Sequence, residues 1–279
     1  MQWHPLFVYF LRQLVQSHFE VRTEQPVGEL PRKADVVLLH KTAAGPAPFR
    51  GLWSRLTTWN VLEYKGPTVS ARFDELHDLL ELGLGVHRHL NELQAKAQQP
   101  AVGYAEVSFW YLVNHLGRRF LAELPTYLPD VRQVTEGIWQ ACVFAHPVLL
   151  VSVEDVKVER DSMALHVLAG VPEAERGIIT EVLKAEPALR ASYGPWLARH
   201  EPAIWQEIMR MATEQQEEID LDFSFWTDYL RKHFDLVDLQ SLLQVVGTER
   251  LWAALSPEQR EELRRLAQLP ASPPPTEQP

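Results

Sequence analysis

The chain has 279 residues, enough for one large domain or two small ones and for a sizeable core without staples. Hydrophobic residues make up 46% and charged residues 23%, which excludes a disordered, collagenous or low-complexity chain as the overall description. A net charge of −10 argues against simple coating of nucleic acid, and a lone cysteine, Cys142, excludes an internal disulfide and a cysteine zinc cluster. The charge is uneven: residues 1–72 hold nine Lys or Arg against five Asp or Glu, while residues 73–279 hold eighteen against thirty-two. A basic amino-terminal third on an acidic body can present a phosphate-facing surface.

Residues 4–18 place Leu6, Phe7, Phe10, Leu11 and Leu14 at helical spacing. The segment has no basic region ahead of its apolar run, and Arg12, Gln13 and Gln16 interrupt it, so an amphipathic helix is expected and not a signal peptide. No run reaches the roughly 20 apolar residues that span a bilayer, so a cytoplasmic protein with no membrane partner is expected. Phe19 to Thr23 favours strand. Ala34 to His40, ADVVLLH, is a short apolar run expected as a buried strand. Residues 41–56, with Gly45, Pro46, Pro48 and Gly51, suggest a loop, and Thr57 to Tyr64 suggests another strand, broken by Gly66-Pro67.

A long helix is expected over 71–98, with Leu76, Leu79, Leu80, Leu84 and Leu90 on one side. Strands are expected over Tyr104 to Val113, near Gly137 to Phe144 and over Val148 to Val153. A short helix is expected around 118–124, and Ala164 to Leu168 is a further strand candidate. From Glu173 to Leu269 only helical periodicity remains, with breaks at Gly194-Pro195 and Pro202. Ser256-Pro257-Glu258-Gln259 has the form of a helix start, and the tail PASPPPTEQP that of a flexible end. The expected architecture is α+β: a mixed sheet flanked by helices over residues 1–170, a helical region over 171–269 and a tail over 270–279.

The chemically informative residues are Asp35 and, 28 positions later, Glu63-Tyr64-Lys65. Strand side chains alternate faces, so Glu63 and Lys65 point the same way at a strand end. If the two strands pair, Asp35 adds a second carboxylate. Asp35, Glu63 and the backbone carbonyl of Tyr64 are hard oxygen ligands suited to Mg²⁺ or Mn²⁺. Lys65 can orient or deprotonate a water or stabilise charge on a phosphate. An unremarkable surface ion pair between Glu63 and Lys65, worth about 0–1 kcal/mol, is the competing reading.

The order helix, strand, turn, DVVLL, strand ending EYKGP, long helix resembles the PD-(D/E)xK nuclease superfamily. LPRKADVVLL, NVLEYKGPT, DELHDLLELGLGVHRHL, HEPAIWQEIMRMA and LLQVVGTERLWAALSPEQREELRRL resemble the bacterial Rpn-type transposase/recombination-promoting nucleases, from about residue 5 to 268. The resemblance implies a restriction-endonuclease-like core and Mg²⁺- or Mn²⁺-dependent DNA cleavage, with Asp35, Glu63 and Lys65 as the catalytic set. The alternative is a catalytically inactive nuclease-fold module that binds DNA or protein. The chain departs from the family pattern in two places. Ala34 stands where a proline usually precedes the aspartate, and residues 4–18 hold no acidic residue, with Glu20, Glu24 and Glu29 as nearby substitutes. Arg32, Lys33, Arg50, Arg55 and Arg72 are the expected DNA contacts, and the helical region is expected to serve a homodimer or a protein partner.

Several other residues invite roles. Trp53 is a candidate for base stacking beside the 41–56 loop. Gln94 and His87, with His77, Arg88 and His89, are expected on an ordinary exposed helix face. Cys142 is expected to be an inert buried thiol. The acidic run at 214–222 lacks the glycine of a calcium loop and is expected to be a solvated helix end.

Overall fold

The structure, a computed structural model, describes residues 3–23, 36–45, 48–66, 69–170 and 173–214. The α+β expectation holds. Helix α1 (Trp3–Val15) leads into strands β1 (Phe19–Thr23), β2 (Val36–Lys41) and β3 (Trp59–Tyr64). Helix α2 (Phe73–Lys96), strand β4 (Val107–Val113) and helix α3 (Arg118–Tyr127) follow. Strands β5 (Arg132–Thr135), β6 (Ile138–Val143) and β7 (His146–Ser152) precede helices α4 (Met163–Ala169), α5 (Arg176–Ala185), α6 (Pro187–His200) and α7 (Pro202–Glu214). The chain divides between Val182 and Leu183 into two compact units. Of the second unit, the structure describes helices α6 and α7 and the end of α5.

The seven strands form one sheet in the order β1-β2-β3-β4-β7-β6-β5. β3, β4 and β7 run parallel to one another, and the strands outside them are antiparallel to their neighbours. Parallel strands at the centre of a sheet must be covered on both faces, so their sequences read as continuous apolar runs. β4, VSFWYLV, is buried at every position. One face carries Leu38, Val61, Phe109, Tyr111, Val148 and Leu150 against Leu76, Leu79, Val86 and Leu90 of α2 and Phe120 and Leu124 of α3. On the other face Tyr64 stacks on Phe7 of α1, ring centroids 4.7 Å apart.

Gly83 shows how closely α2 sits. A Cβ there would fall 2.4 Å from a ring carbon of Phe109, so the missing side chain lets helix and strand meet. A buried polar network pins the register at the other end of β3 and β4. The Asn60 side-chain oxygen accepts from the Thr57 backbone N–H at 2.8 Å and from the Ser108 hydroxyl at 2.8 Å, and the Trp110 indole N–H donates to Ser108 at 2.7 Å. Because side chains alternate, a one-residue slip would break this network and move each side chain of the strand to the opposite face of the sheet.

Four local expectations need correction. Ala164 to Leu168 is not a strand: it lies inside α4, whose residues Met163 to Leu168 are all buried. A helix apolar all round has no 3.6-residue periodicity to read, and a short apolar run then looks like strand. α6 continues through Gly194-Pro195 instead of breaking. Proline costs about 3 kcal/mol inside a helix, and the burial of Tyr193, Trp196 and Leu197 around it offsets that cost. The 41–56 segment contains a 3₁₀ turn, Gly51–Arg55, with Leu52 and Trp53 buried. Tyr104–Glu106, expected as the start of β4, forms a 3₁₀ turn. The helix start at 256–259, the acidic run's 215–222 portion and the tail lie outside the described residues. Among the described residues no helix is long and apolar enough to cross a membrane.

His166 on α4 is 2% exposed, and among the described residues its Nε2 has no hydrogen-bond partner. Burial holds its pKa down at about 4, from an ordinary value of 6.5. The unfolded chain takes up this proton below pH 6.5 and the folded chain does not. Stability is therefore complete above that pH and falls as pH drops toward 4, by about 3 kcal/mol from this group. His166→Leu should flatten the melting temperature measured between pH 6.5 and 4 relative to wild type. An unchanged slope would show that other groups control acid unfolding.

Candidate functional site

The carboxyl end of β3 points Glu63 and Lys65 to the α2 side of the sheet. Glu63 lies in register with Val36 of β2 on one side and Tyr111 of β4 on the other. Lys65, just past the strand, is tied to β4 by its backbone N–H donating to the Leu112 carbonyl at 2.9 Å. Its ammonium sits 2.5 Å from a Glu63 carboxylate oxygen, so the side-by-side placement expected from alternation is present.

A second carboxylate reaches this point from α2, not from an upstream strand. Glu75 lies 3.6 Å from the Lys65 ammonium and accepts a hydrogen bond of 2.7 Å from the Tyr111 hydroxyl. That hydroxyl in turn accepts from the Arg72 backbone N–H at 3.2 Å, which ties the helix start to β4. Asp74 and Glu75 fill the first turn of α2, where carboxylates are favoured by the exposed N–H groups and the helix dipole. An acidic pair opening the helix after the EYK strand was therefore a readable signal for Glu75. The missing information was the fold that brings it to Lys65.

The electrostatics are those of carboxylates in excess. Burial is the main force raising the Glu63 pKa; Lys65 opposes it, while Glu75 and Asp78 add to the rise. For Lys65, burial pulls the pKa down, but the bond and charge of Glu63, with Glu75, reverse this and leave it raised. An isolated ion pair would lower its acid. Here the acid stays high chiefly because it is buried, with Glu75 and Asp78 adding to the rise. Burial also raises the Tyr111 hydroxyl, so it remains a donor to Glu75.

The other expected site residues are distributed as follows. Asp35, Arg32 and Lys33 lie outside the described residues. The Tyr64 side chain turns to the α1 face, away from Glu63, and burial raises its pKa. Its proposed metal contact was the backbone carbonyl, which remains at the strand end. Arg72 stands at the site end, already paired with Asp74 through contacts of 3.0 and 2.5 Å. Arg50 and Arg55 do not cluster there: they precede β3, whose six residues run about 17 Å to the Glu63 end. The Arg50 backbone N–H donates to Asp161 at 3.0 Å, and Arg55 reaches Gln140 at 3.4 Å.

Three further residues correct their expectations. Trp53 is not available for base stacking: it is 1% exposed, stacks on Trp110 and donates to the Asp161 carbonyl at 2.7 Å. His87 is not on an exposed face: it is buried, with Nε2 2.8 Å from the Val102 carbonyl and 3.0 Å from the Asn91 amide. Cys142, expected buried, is exposed, because β6 turns alternate residues outward near the sheet edge.

Two groups of exposed side chains also have ligand atoms within 4.8 Å of one another and could hold a metal: His77, Asp78 and Glu81 on α2, and His115, Glu154 and Asp155 past the ends of β4 and β7. Comparisons with family models, with curated proteins and with solved structures return no match to this chain. The superfamily resemblance accordingly rests on the residues quoted from the sequence.

The charge excess has a measurable consequence. Lys65→Met would leave Glu63 and Glu75, 12% and 21% exposed, without their shared cation. We expect a loss of about 1–2 kcal/mol near pH 7.5, more than an exposed pair would cost. Without Lys65 the folded pKa of Glu63 moves further above its unfolded value. Stability is then lost as pH rises through that window and regained toward pH 5. Melting temperatures of wild type and Lys65→Met at pH 5, 6 and 7.5 check this. A difference that does not depend on pH would remove the electrostatic account.

Proposed function

We propose that the chain is a divalent-metal-dependent DNA endonuclease that hydrolyses phosphodiester bonds, with Glu63 and Lys65 at its centre. The observation that carries this reading is the Lys65 ammonium 2.5 Å from Glu63 and 3.6 Å from Glu75, at the carboxyl end of a parallel strand. Open sheets place ligands beyond the carboxyl ends of their parallel strands. The element order found, helix, strands ending in EYKG, then a long helix, also agrees with the superfamily resemblance.

The donor set fits a hard divalent cation. Glu63 and Glu75 are oxygen donors in excess over their one ammonium, and burial and neighbouring charge hold Glu63 toward protonation. The proposed holders are Glu63, Glu75, the Tyr64 carbonyl and, from the resemblance, Asp35, whose neighbour Val36 lies in register with Glu63. Mg²⁺ or Mn²⁺ there would supply an acidified water and charge neutralisation at a phosphoryl oxygen. Lys65, held by Glu63 and Glu75, would place its charge where the phosphate gains negative charge. Tyr111 fixes Glu75 and so acts as a positioning residue.

Plasmid nicking with Mg²⁺ or Mn²⁺, with and without EDTA, tests the reading. Lys65→Ala should lower the nicking rate about 10²–10³-fold while Mn²⁺ binding persists. Glu63→Gln and Asp35→Asn should lose both. Lys65→Arg should restore activity only if charge, and not proton transfer, is required. Nicking by Lys65→Ala at the wild-type rate would make Glu63 and Lys65 a structural pair and leave the inactive nuclease-fold module as the reading.

A further inference from the structure

On the opposite face of the sheet, beside the segment that leads into β3, the charge chemistry inverts. A cleft of about 400 Å³ is lined by Ser54, Arg55, Thr57, Gln140, Pro147 and Leu149. Its place follows from the sheet. Gln140 of β6 lies in register with Leu149 of β7, and Leu149 with Trp110 of β4, so the three form one row. Trp53, from the 3₁₀ turn, covers Trp110 in that row. Farther along the row Gln140 is half-buried and Arg132, its partner on β5, is exposed.

Arg55 is the charged group of this cleft. Among the described residues its buried Nε makes no hydrogen bond, and Nη1 makes a 3.4 Å contact with the neutral Gln140 side chain. Among the described residues no carboxylate pairs with it, although the protein carries a net charge of −10. A buried guanidinium donor without an acceptor is costly, about 1–3 kcal/mol, and a bound acceptor removes that cost. Gln140 accepts from Arg55 through its oxygen, which leaves its amide N–H groups as further donors. The Ser54 and Thr57 hydroxyl protons are already committed, to the Gly51 carbonyl at 2.7 Å and the Trp59 carbonyl at 2.8 Å. A second guanidinium, Arg132 of β5, lies in register with Gln140 on the same face and is exposed. Pro147 and Leu149 supply an apolar floor.

We propose that this cleft binds a small organic oxyanion, a phosphate monoester or carboxylate carried on an apolar body, with Arg55 and Gln140 on the oxyanion and Pro147 and Leu149 beneath the body. A planar guanidinium matches phosphate and carboxylate with paired N–H donors, and the apolar floor separates an organic anion from a free ion. The cleft lies on the opposite face of the sheet from Glu63 and Lys65, so its test does not depend on the nuclease reading.

Calorimetric titration of the full chain with phenyl phosphate, benzoate, inorganic phosphate and benzyl alcohol provides the test. Phenyl phosphate or benzoate should bind, inorganic phosphate more weakly, and benzyl alcohol not measurably. Arg55→Gln should weaken the organic anion about tenfold to a hundredfold, the range for a charged hydrogen-bonding group. Arg55→Lys should retain part of the affinity, and Arg88→Gln, on exposed α2, should retain all of it. A melting temperature for each variant separates lost binding from lost folding. Absence of organic-anion binding at about 10 mM, or binding unchanged in Arg55→Gln, overturns the proposal. So does Arg55-dependent binding of a 5′-phosphorylated oligonucleotide without binding of phenyl phosphate, which would make the cleft a nucleic-acid contact.

Discussion

The constraint on which the rest depends is the parallel trio β3, β4 and β7. Parallel neighbours cannot be joined by a tight turn, so the chain must cross over, and it does so between β3 and β4 through α2. The crossover lays α2 on one face, and Gly83 lets it approach Phe109 closely enough to exclude water. It also fixes where α2 begins: immediately beyond the β3 end, beside Glu63 and Lys65. Glu75 reaches Lys65 because the helix that covers the sheet has to start there. The candidate site is thus a by-product of covering a two-sided apolar sheet, and Asn60 and Ser108 secure it by holding the β3–β4 register.

That geometry makes the electrostatics of β3 asymmetric. At its carboxyl end, partly buried carboxylates outnumber the single ammonium, and Glu63 is held toward protonation. At its amino end a guanidinium lacks a carboxylate partner among the described residues. Uncompensated charge in a partly buried place costs free energy in both cases, and a counter-charge from outside the chain offsets it. On the proposed readings the two sites would take ligands of opposite sign, a cation at one and an anion at the other. Neither requirement is visible in the net charge, which averages over them.

Much of this fold was legible from periodicity. β1 matches the expected stretch, Phe19–Thr23, and β3, α2, β4 and β7 fall within a few residues of theirs, because each is long enough or apolar enough to carry its own signature. The misses share one cause, structure decided by residues distant in the chain. α4 is buried all round and so has no polar face to mark it as a helix. β5, with the polar sequence RQVT, was not anticipated, because an edge strand with exposed faces needs no apolar pattern and takes its form from the β6 hairpin partner. Trp53 read as a loop aromatic because the indole that covers it on the sheet, Trp110, lies 57 positions away. At the site, Glu63 and Lys65 were readable as neighbours because alternation is local. Glu75 carries the local signal of an acidic helix start, but its place beside Lys65 depends on a fold that joins it to Tyr111, 36 positions away.

The position of Lys65 bears on how such a site can work at all. An ammonium already 2.5 Å from Glu63 both neutralises the carboxylate and competes with any cation for its lone pairs. If Glu63 were alone, a metal would gain little by displacing so good a partner. Glu75 and Asp78 change that balance, because the cluster remains negative after Lys65 is counted, and Glu63 is still raised. On the proposed reading, Glu63 and Glu75 would be the carboxylates that a divalent cation shares with Lys65. Tyr111 matters here, since its hydroxyl holds one Glu75 oxygen and leaves the other, the one already 3.6 Å from Lys65, to receive the ammonium.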